Sequence, residues 1–295
     1  MSGLGLGLGL GLGAHRIVDR YGNMPATFTV TAGDGTKYVR VQVSETTTVT
    51  PAGGTSIRIG SSGEFVTTPL TLAANTNQDI YFKDAGSFII PKRKLVTYLY
   101  LSSLGSSAIT GDITGMKLTT LYLSSLGSSS AITGKITGME LTSLCLSSLG
   151  SSIITGDITG MKLTSLYLSS LGSSVIRGKI TGMKLTYLYL YNLGSSLTYG
   201  TSSLNITSAN GIQLLGNTVF SANEYIQLFA DAATCVTDGK WTASTKVMTI
   251  SGGENPGWSN VSAYYDIIVG GGVTVKVPLA WESGDDAFPE ETPNP

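Results

Sequence analysis

Few residues in this sequence have the chemistry that an enzyme active site needs. His15 is the only histidine, and Cys145 and Cys235 are the only cysteines. A Ser-His-Asp or Cys-His site needs a rigid base within hydrogen-bond reach, whereas His15 follows directly on a glycine-rich run. Neither cysteine lies in a CxxC or Cys/His cluster with the spacing of zinc ligands. We therefore expect no catalytic residue, no metal site and no cofactor, and a protein that is not an enzyme.

Tyrosine, by contrast, recurs at a regular spacing on strand positions that alternate with apolar ones. Such positions face outward from a half-buried sheet, so the sequence predicts an exposed column of tyrosines flanked by hydroxyl side chains, with Cys145 as a free thiol in the same column. A tyrosine ring combines apolar area with a polar tip, which suits binding of a sugar or a protein. The alternative is that the tyrosines reflect only the β-propensity of a copied repeat. The candidate ligand-binding residues are Tyr98, Tyr100, Tyr122, Tyr167, Tyr187, Tyr189 and Tyr191.

These tyrosines belong to internal repeats that occupy residues 96–206. Five units of 22 or 23 residues carry the LxxLxLxxL pattern of leucine-rich repeats. Each unit predicts a short parallel strand followed by a returning loop, and stacking of the units would bury one column of leucines and one of isoleucines. The predicted columns are Leu99, Leu121, Leu144, Leu166 and Leu188, and Ile109, Ile132, Ile154 and Ile176.

In each of these four repeats a glycine lies two residues after the isoleucine, and a charged residue follows the glycine directly. The glycines predict a turn that needs an unusual backbone angle or permits close packing. The charges alternate in sign from one repeat to the next, so neighbours would lie directly opposite each other and help to fix the register of nearly identical repeats. The two series are Gly111, Gly134, Gly156 and Gly178, and Asp112, Lys135, Asp157 and Lys179.

The segments on either side of the repeats have different patterns. Residues 14–95 contain short alternating apolar runs separated by glycine-rich turns, which predict a small β-sandwich-like domain. Residues 207–282 predict C-terminal capping repeats with helices, because Ser221 and Glu224 have capping-box spacing and Phe220 and Tyr225 have the spacing of a hydrophobic staple. A second helix is expected over 259–268, with strands at 247–250 and 273–277. The acidic, proline-containing residues 283–295 predict a disordered tail.

Residues 1–13 form a separate Gly-Leu segment. Its period of two predicts a strand with all the leucines on one face and bare backbone on the other. The segment lacks the charged region and uninterrupted apolar core of a signal peptide, and it is too short to span a bilayer. It is either a disordered tail or an anchor strand that docks on the edge of another protein's sheet. The anchor residues would be Leu4, Leu6, Leu8, Leu10 and Leu12.

Composition narrows the fold class and the partners. Charged residues make up 13% of the chain and the net charge is -1, so nothing in the charge favours nucleic acid or an anionic membrane as a partner. A low charge content with abundant serine and threonine fits a β-rich protein with many tight turns. The expected fold is an α/β leucine-rich-repeat solenoid of parallel strands, with about five short repeats and helical C-terminal units, preceded by a small all-β domain.

Short sequence motifs, a longer C-terminal segment and the N-terminal run resemble those of one group of proteins. The words LTYLYLYN (185–192) and ITGDITGM (109–116 and 154–161) resemble leucine-rich-repeat proteins of gut Bacteroidales and of the phages that infect them. Residues 228–277 are similar to the terminal unit of those proteins, and the GLGLGLGLG start is similar to the amino termini of virion-attached proteins in such phages. The sequence departs from the family's asparagine ladder, because that position carries Leu104, Leu126, Leu149, Leu171 and Leu193.

The resemblance implies a non-enzymatic phage virion protein, a structural and adhesion component similar to a tail or head fibre. Its N-terminal strand would bind other virion proteins, and its solenoid would meet a host surface protein or glycan. It would be assembled in the host cytoplasm, become oligomeric in the particle and insert into no membrane. A bacterial surface or secreted leucine-rich-repeat binding protein is the alternative, and a purely structural decoration is the third possibility.

Overall fold

The computed structural model describes residues 20–102, 104, 107–194 and 196–289. The chain forms a parallel β-solenoid of about five turns with few helices. It divides into two compact units. The first consists of the residues up to 119 together with 126–140 and 151–155. The second consists of 120–125, 141–150 and the residues from 156 onward. The anchor leucines predicted in residues 1–13, and His15, lie outside the described residues.

Residues 26–90, in the first unit, form seven strands whose apolar side chains face inward. Six of them coincide with the short alternating apolar runs that predicted strands in this segment, which begin at Phe28, Val39, Ile57, Leu70, Ile80 and Phe88. The strand that the sequence did not predict has Val49 as its only large apolar residue and contains Pro51. Pro51 lies opposite Phe88 of one neighbouring strand but past the end of the pairing with the other, so that side of the strand is an edge on which proline is tolerated. The strands are β1 (Ala26–Val30), β2 (Tyr38–Val43), β3 (Thr47–Ala52), β4 (Ile57–Ile59), β5 (Leu70–Leu72), β6 (Gln78–Phe82) and β7 (Gly86–Ile90).

These strands pair directly with the first repeat, whose strands are β8 (Val96–Ser102) and β9 (Ile109–Asp112). In the first unit, β1 is antiparallel to β9 and β2 is antiparallel to β8. The strand orders are β5-β3-β7-β1-β9 and β4-β6-β2-β8. Residues predicted as a separate domain thus share both sheets with the first repeat and cover strand edges that would otherwise be unpaired.

Each repeat contains two strands, whereas the sequence predicted one strand and a returning loop. The first strand carries the leucine column and the second carries the isoleucine. All five leucines and four isoleucines of the predicted columns are buried, which confirms their inward orientation. The later pairs are β10 (Thr120–Ser124) with β11 (Ala131–Lys135), β12 (Ser143–Ser147) with β13 (Ile153–Asp157), β14 (Ser165–Ser169) with β15 (Val175–Ile180), and β17 (Tyr187–Tyr191) with β18 (Leu197–Tyr199).

The two kinds of strand stack with different registers. In the second unit the leucines match one to one, since Leu144 lies opposite both Leu121 and Leu166. In the first unit β11 is shifted by two residues relative to the repeat, so that Ile132 lies opposite Gly111. A shift of two keeps every side chain on its original face, so the isoleucines remain buried.

The same shift overturns the predicted charge ladder at its first step. Asp112 lies opposite Thr133 and not directly opposite Lys135. The Asp112 carboxylate instead accepts hydrogen bonds from the backbone N–H of Thr114 at 2.8 Å and from Nη1 of Arg93 at 2.7 Å. Its role is therefore to fix a turn and to hold Arg93, which a periodicity of charges in the sequence does not reveal.

Gly134 and Gly178 fit both interpretations of the glycine series, whereas Gly111 fits only close packing, since a Cβ there would lie 2.7 Å from Cδ1 of Phe28. Gly134 has φ of +147° and Gly178 has φ of +122°, which are backbone angles that side chains disfavour. A Cβ on Gly134 would also lie 2.5 Å from Cγ1 of Ile113 and 3.0 Å from the backbone nitrogen of Thr114. Glycine thus allows one turn of the solenoid to approach the turn beside it closely.

Buried serines accept hydrogen bonds from backbone N–H groups of the turn beside them, at a place where leucines were noted in the sequence instead of an asparagine ladder. In the first unit, Oγ of Ser130 accepts from the N–H of Ile109 at 3.2 Å, and Oγ of Ser152 accepts from the N–H of Ile132 at 2.9 Å. Ser130 and Ser152 are fully buried. The leucines at the asparagine position, Leu104, Leu126, Leu149 and Leu171, are buried as apolar core residues. A short hydroxyl one turn away therefore replaces the amide.

The C-terminal part of the second unit continues the parallel sheet beyond β17 with three further strands, which pair in chain order. The predicted capping box is confirmed, because Oε2 of Glu224 accepts from the N–H of Ser221 at 2.7 Å. The staple is confirmed by a distance of 5.7 Å between the rings of Phe220 and Tyr225. The remaining elements are β16 (Lys184–Leu185), β19 (Ser203–Leu204), β20 (Ile212–Leu215), α1 (Ala222–Thr237), β21 (Val247–Ile250), α2 (Trp258–Gly270), β22 (Thr274–Lys276) and 3-10 helices at Arg93–Leu95 and Leu279–Trp281.

The tail was predicted to be disordered from residue 283, and this is wrong for residues 283–289. Phe288 is buried, with its ring 5.5 Å from each of the rings of Trp258 and Trp281. Oδ1 of Asp286 accepts from the N–H of Ser259 at 2.7 Å, which caps the N-terminus of α2. One aromatic ring and one carboxylate thus hold a segment whose composition alone favours disorder. Residues 290–295 lie outside the described part of the chain.

Candidate functional site

The outward face of the second unit's sheet brings four repeats together in register. In β10, β12, β14 and β17, buried leucines alternate with outward residues that are half-buried, apart from Ser169, which is buried. The central residue of each strand therefore falls in one row, in the order Tyr122, Cys145, Tyr167 and Tyr189. Parallel pairing along the whole row fixes the backbone beneath these side chains, so the sheet presents them from a rigid base.

A hollow of about 380 Å³ opens on this face above β12. We call it the Cys145 hollow. Ser143, Cys145 and Ser147, the three outward residues of β12, form its floor, and side chains of the adjoining strands form its walls. It is lined by Tyr122, Ser124, Ser143, Cys145, Ser147, Ser165, Tyr167 and Tyr187.

The hollow exists because β12 has no tyrosine on its outward face. Every neighbouring repeat in the row carries a ring where this one carries the small side chain of Cys145. Tyr122 and Tyr167 stand two strands apart, which corresponds to about 9.6 Å at the sheet surface at the usual spacing of about 4.8 Å per strand. The missing ring thus leaves a gap of one side chain between two aromatic residues.

The tyrosines on one side of the hollow pack on each other. The rings of Tyr167 and Tyr189 are stacked with centroids 4.3 Å apart and planes 5° from parallel. Tyr187 lies 6.3 Å from Tyr167 and 6.5 Å from Tyr189. This packing explains why the predicted exposed column is instead half-buried. It also gives the hollow a stiff aromatic wall.

Cys145 and Tyr187, which both line the hollow, are neutral near pH 7. Burial raises the pKa of the Cys145 thiol to about 12, although a hydrogen bond with Tyr122 acts in the opposite direction. Burial also raises the pKa of Tyr187 to about 12, and the neighbouring phenols of Tyr167 and Tyr189 add to this rise. A protonated thiol is a poor nucleophile. None of the eight lining residues is acidic or basic. The hollow therefore offers hydroxyl groups, one thiol and ring faces.

The predicted ligand-binding residues fall into two groups. Tyr122, Tyr167 and Tyr187 line the hollow, and Tyr189 supports its wall by stacking on Tyr167. Tyr191 lies at the end of the same strand, opposite Ser169. The sequence did not single out Ser124, Ser143, Ser147 and Ser165 as ligand-binding residues. The sequence did contain a feature that could have predicted the hollow, because Cys145 is the one small residue in a row of tyrosines.

Tyr98 and Tyr100 belong to the first unit, where the adjacent strand carries an ion pair. Arg40 lies opposite Tyr100 on the adjacent strand, with its guanidinium carbon 5.8 Å from the centre of the Tyr100 ring. Asp79 pairs with Arg40 through two hydrogen bonds of 2.5 and 2.9 Å. A bidentate pair of this kind neutralises the arginine. Tyr100 therefore forms part of an aromatic and ion-pair cluster in the first unit, and Tyr98 lies opposite Gln42 on the same adjacent strand.

No protein-family model matches the chain, and neither a curated protein nor a solved structure matches it. Among the residues that the structure describes, no three His, Cys, Asp or Glu side chains are grouped so that they could hold a metal ion. None of the helices in the described ranges is both long enough and apolar enough to cross a membrane.

Proposed function

We propose that this protein is a non-enzymatic structural and adhesion component of a phage particle, similar to a tail or head fibre. Its Gly-Leu segment would bind other virion proteins, and the face around the Cys145 hollow would bind a host surface ligand. The observation that carries the adhesion part is an uncharged, hydroxyl-rich hollow with aromatic walls on a rigid parallel sheet. Such a site can bind a ligand but lacks a charged acid, base or nucleophile.

We further propose that the solenoid is of the leucine-rich-repeat class and that the strands of residues 26–90 act as its N-terminal cap. The LxLxL strands with their buried leucine column support the first statement. The antiparallel pairing of β1 and β2 with the first repeat supports the second. Solenoids need terminal caps because the last strand of each sheet would otherwise expose its backbone groups.

The particle assignment is tested with a chain that lacks residues 2–13. We expect the full chain to be found in purified particles by mass spectrometry and the truncated chain to be absent, although it folds and stays soluble. The physical reason is that the five leucines would lie on one face if this segment formed a strand, and their burial would contribute about 25 cal/mol for each Å² removed from water. A chain that lacks residues 290–295 serves as the matched control and should be incorporated normally.

Two outcomes would contradict this assignment. Incorporation of the truncated chain at the normal level would show that the Gly-Leu segment is not the anchor. Absence of the full chain from purified particles, together with its presence on bacterial cells or in the medium, would favour the bacterial surface or secreted protein instead.

Adhesion is tested at the aromatic wall of the hollow. Particles that carry Tyr167→Ser and Tyr187→Ser should adsorb to host cells at least tenfold more slowly, because both rings line the hollow. Tyr191→Ser is the matched control, since Tyr191 is half-buried on the same face but does not line the hollow. If native particles, the double tyrosine variant and the Tyr191→Ser control all adsorb at the same rate, the hollow does not bind the host, and a purely structural decoration of the particle is favoured. Circular dichroism of the purified chains checks that the variants fold.

A further inference from the structure

We infer that the ligand of the Cys145 hollow is one ring of a neutral sugar, taken up in the place that a tyrosine fills in the neighbouring repeats. This inference rests on the proposed adhesion function and specifies the chemical class of its ligand. It is carried by three properties of the hollow, namely its charge, its size and the mixture of surfaces that it offers.

The charge of the hollow selects against ionic ligands. Its eight lining residues include no Lys, Arg, His, Asp or Glu. An acidic sugar such as sialic acid or a uronic acid would lose water from its carboxylate without gaining a counter-charge, which is costly. The same argument excludes a phosphorylated ligand or a basic peptide side chain. A neutral ligand meets no such penalty.

The size of the hollow limits its occupant to about one ring. A volume of about 380 Å³ lies near the lower end of the range of about 300–1,000 Å³ that is usual for small-molecule sites. The two strand spacings between Tyr122 and Tyr167, about 9.6 Å, leave room for one ring because stacked rings need about 4.5 Å between centroids on each side. A longer glycan would therefore place one of its residues in the hollow and extend along the sheet.

The surfaces of the hollow match the two faces of a sugar. The ring of Tyr167 is held in place by Tyr189, and it can pack against the C–H face of a pyranose. The hydroxyl groups of Ser143, Ser147 and Ser165 can both donate and accept hydrogen bonds with sugar hydroxyls. A purely apolar ligand would displace water from these groups without replacing its hydrogen bonds, which would weaken binding.

The key variant is Cys145→Tyr, which fills the hollow with the residue found at the same place in the adjacent repeats. The fold should accept this change because Tyr122 and Tyr167 already occupy the equivalent positions opposite Cys145. Gln213→Tyr is the matched control: Gln213 extends the same row beyond Tyr189, and it does not line the hollow. A double change, Ser143→Ala with Ser147→Ala, removes two floor hydroxyls without adding volume.

The probes are glucose, galactose, mannose and N-acetylglucosamine, with sialic acid and glucuronic acid as charged comparisons, each titrated into the full chain and followed by protein-observed NMR. We expect at least one neutral sugar to bind with millimolar affinity, and Cys145→Tyr and the double serine variant to bind it at least tenfold more weakly. Gln213→Tyr should bind it normally, and neither acidic sugar should bind.

The inference is overturned if none of the neutral sugars binds the native chain, or if Cys145→Tyr, folded by circular dichroism, binds as well as the native chain. These results are separable from failure of the proposed function. A purified chain that blocks particle adsorption, but is not displaced by any of the neutral sugars, would leave adhesion standing and identify a protein surface as the ligand. Sugar binding by a chain that is absent from particles would sustain the inference and refute the virion assignment.

Discussion

Replacement of Leu144 by alanine is expected to lower the free energy of unfolding by about 2–5 kcal/mol. Leu144 is fully buried and lies between Leu121 and Leu166 in the continuous column of the second unit. Both neighbours are held in register by parallel pairing on either side, so the column cannot close over the lost methyl groups. The cavity therefore remains and carries its full cost. Denaturant titration followed by circular dichroism measures the change.

A substitution on the surface of the same region provides the control. Lys162 is exposed, and Lys162→Ala should change the free energy of unfolding by no more than about 0.5 kcal/mol. If the two variants unfold at the same denaturant concentration as the native chain, Leu144 does not belong to a stacked core and the assignment of the column is wrong.

Replacement of Gly178 by alanine should be of similar severity for a different reason. Its φ of +122° lies in a region that costs about 1–3 kcal/mol for a residue with a Cβ. The added Cβ would also meet Oδ1 of Asp157 and would lie 2.7 Å from Oγ1 of Thr159. Overpacking adds about 1–3 kcal/mol. We expect a total loss of roughly 2–6 kcal/mol in the free energy of unfolding, measured by the same titration.

Gly182 separates the backbone effect from the steric one. Its φ is +69°, and a Cβ at this position would meet no atom within 4 Å. Gly182→Ala should therefore lose only about 1–2 kcal/mol, the cost of a left-handed conformation. An equal loss in the Gly178 and Gly182 variants would mean that close approach to Asp157 and Thr159 is not what requires glycine in this series.

The predictable part of the fold is the part that depends on the periodicity of apolar residues. The leucine column follows from alternation at a fixed repeat length, and the burial of Leu144 and Ile132 was predicted correctly. The second strand of each repeat was not predicted, because glycine within a five-residue run such as Ala131–Lys135 argues against a strand. Here the glycine is present because the adjacent turn approaches its backbone, and this reason is visible only in three dimensions.

The candidate site was predictable as a row of residues but not as a hollow. Alternation placed Tyr122, Tyr167 and Cys145 on one outward face, and their registers confirm this. The depth of the hollow depends on how the rings lean and stack, which no spacing in the sequence specifies. The stacking of Tyr189 on Tyr167 turned a predicted exposed column into a partly buried wall.

The pairing of residues 26–90 with the first repeat also has a consequence for synthesis of the chain. Strands β1 and β2 precede β8 and β9 in the sequence, so they have left the ribosome before their partners emerge. The first repeat can then add to a finished edge, and each later repeat can add to the one before it. Growth from a template avoids the costly formation of an isolated first turn. Because the repeats are nearly identical, a strand could pair with the wrong repeat. Addition in the order of translation helps each repeat to pair with the one that precedes it in the sequence.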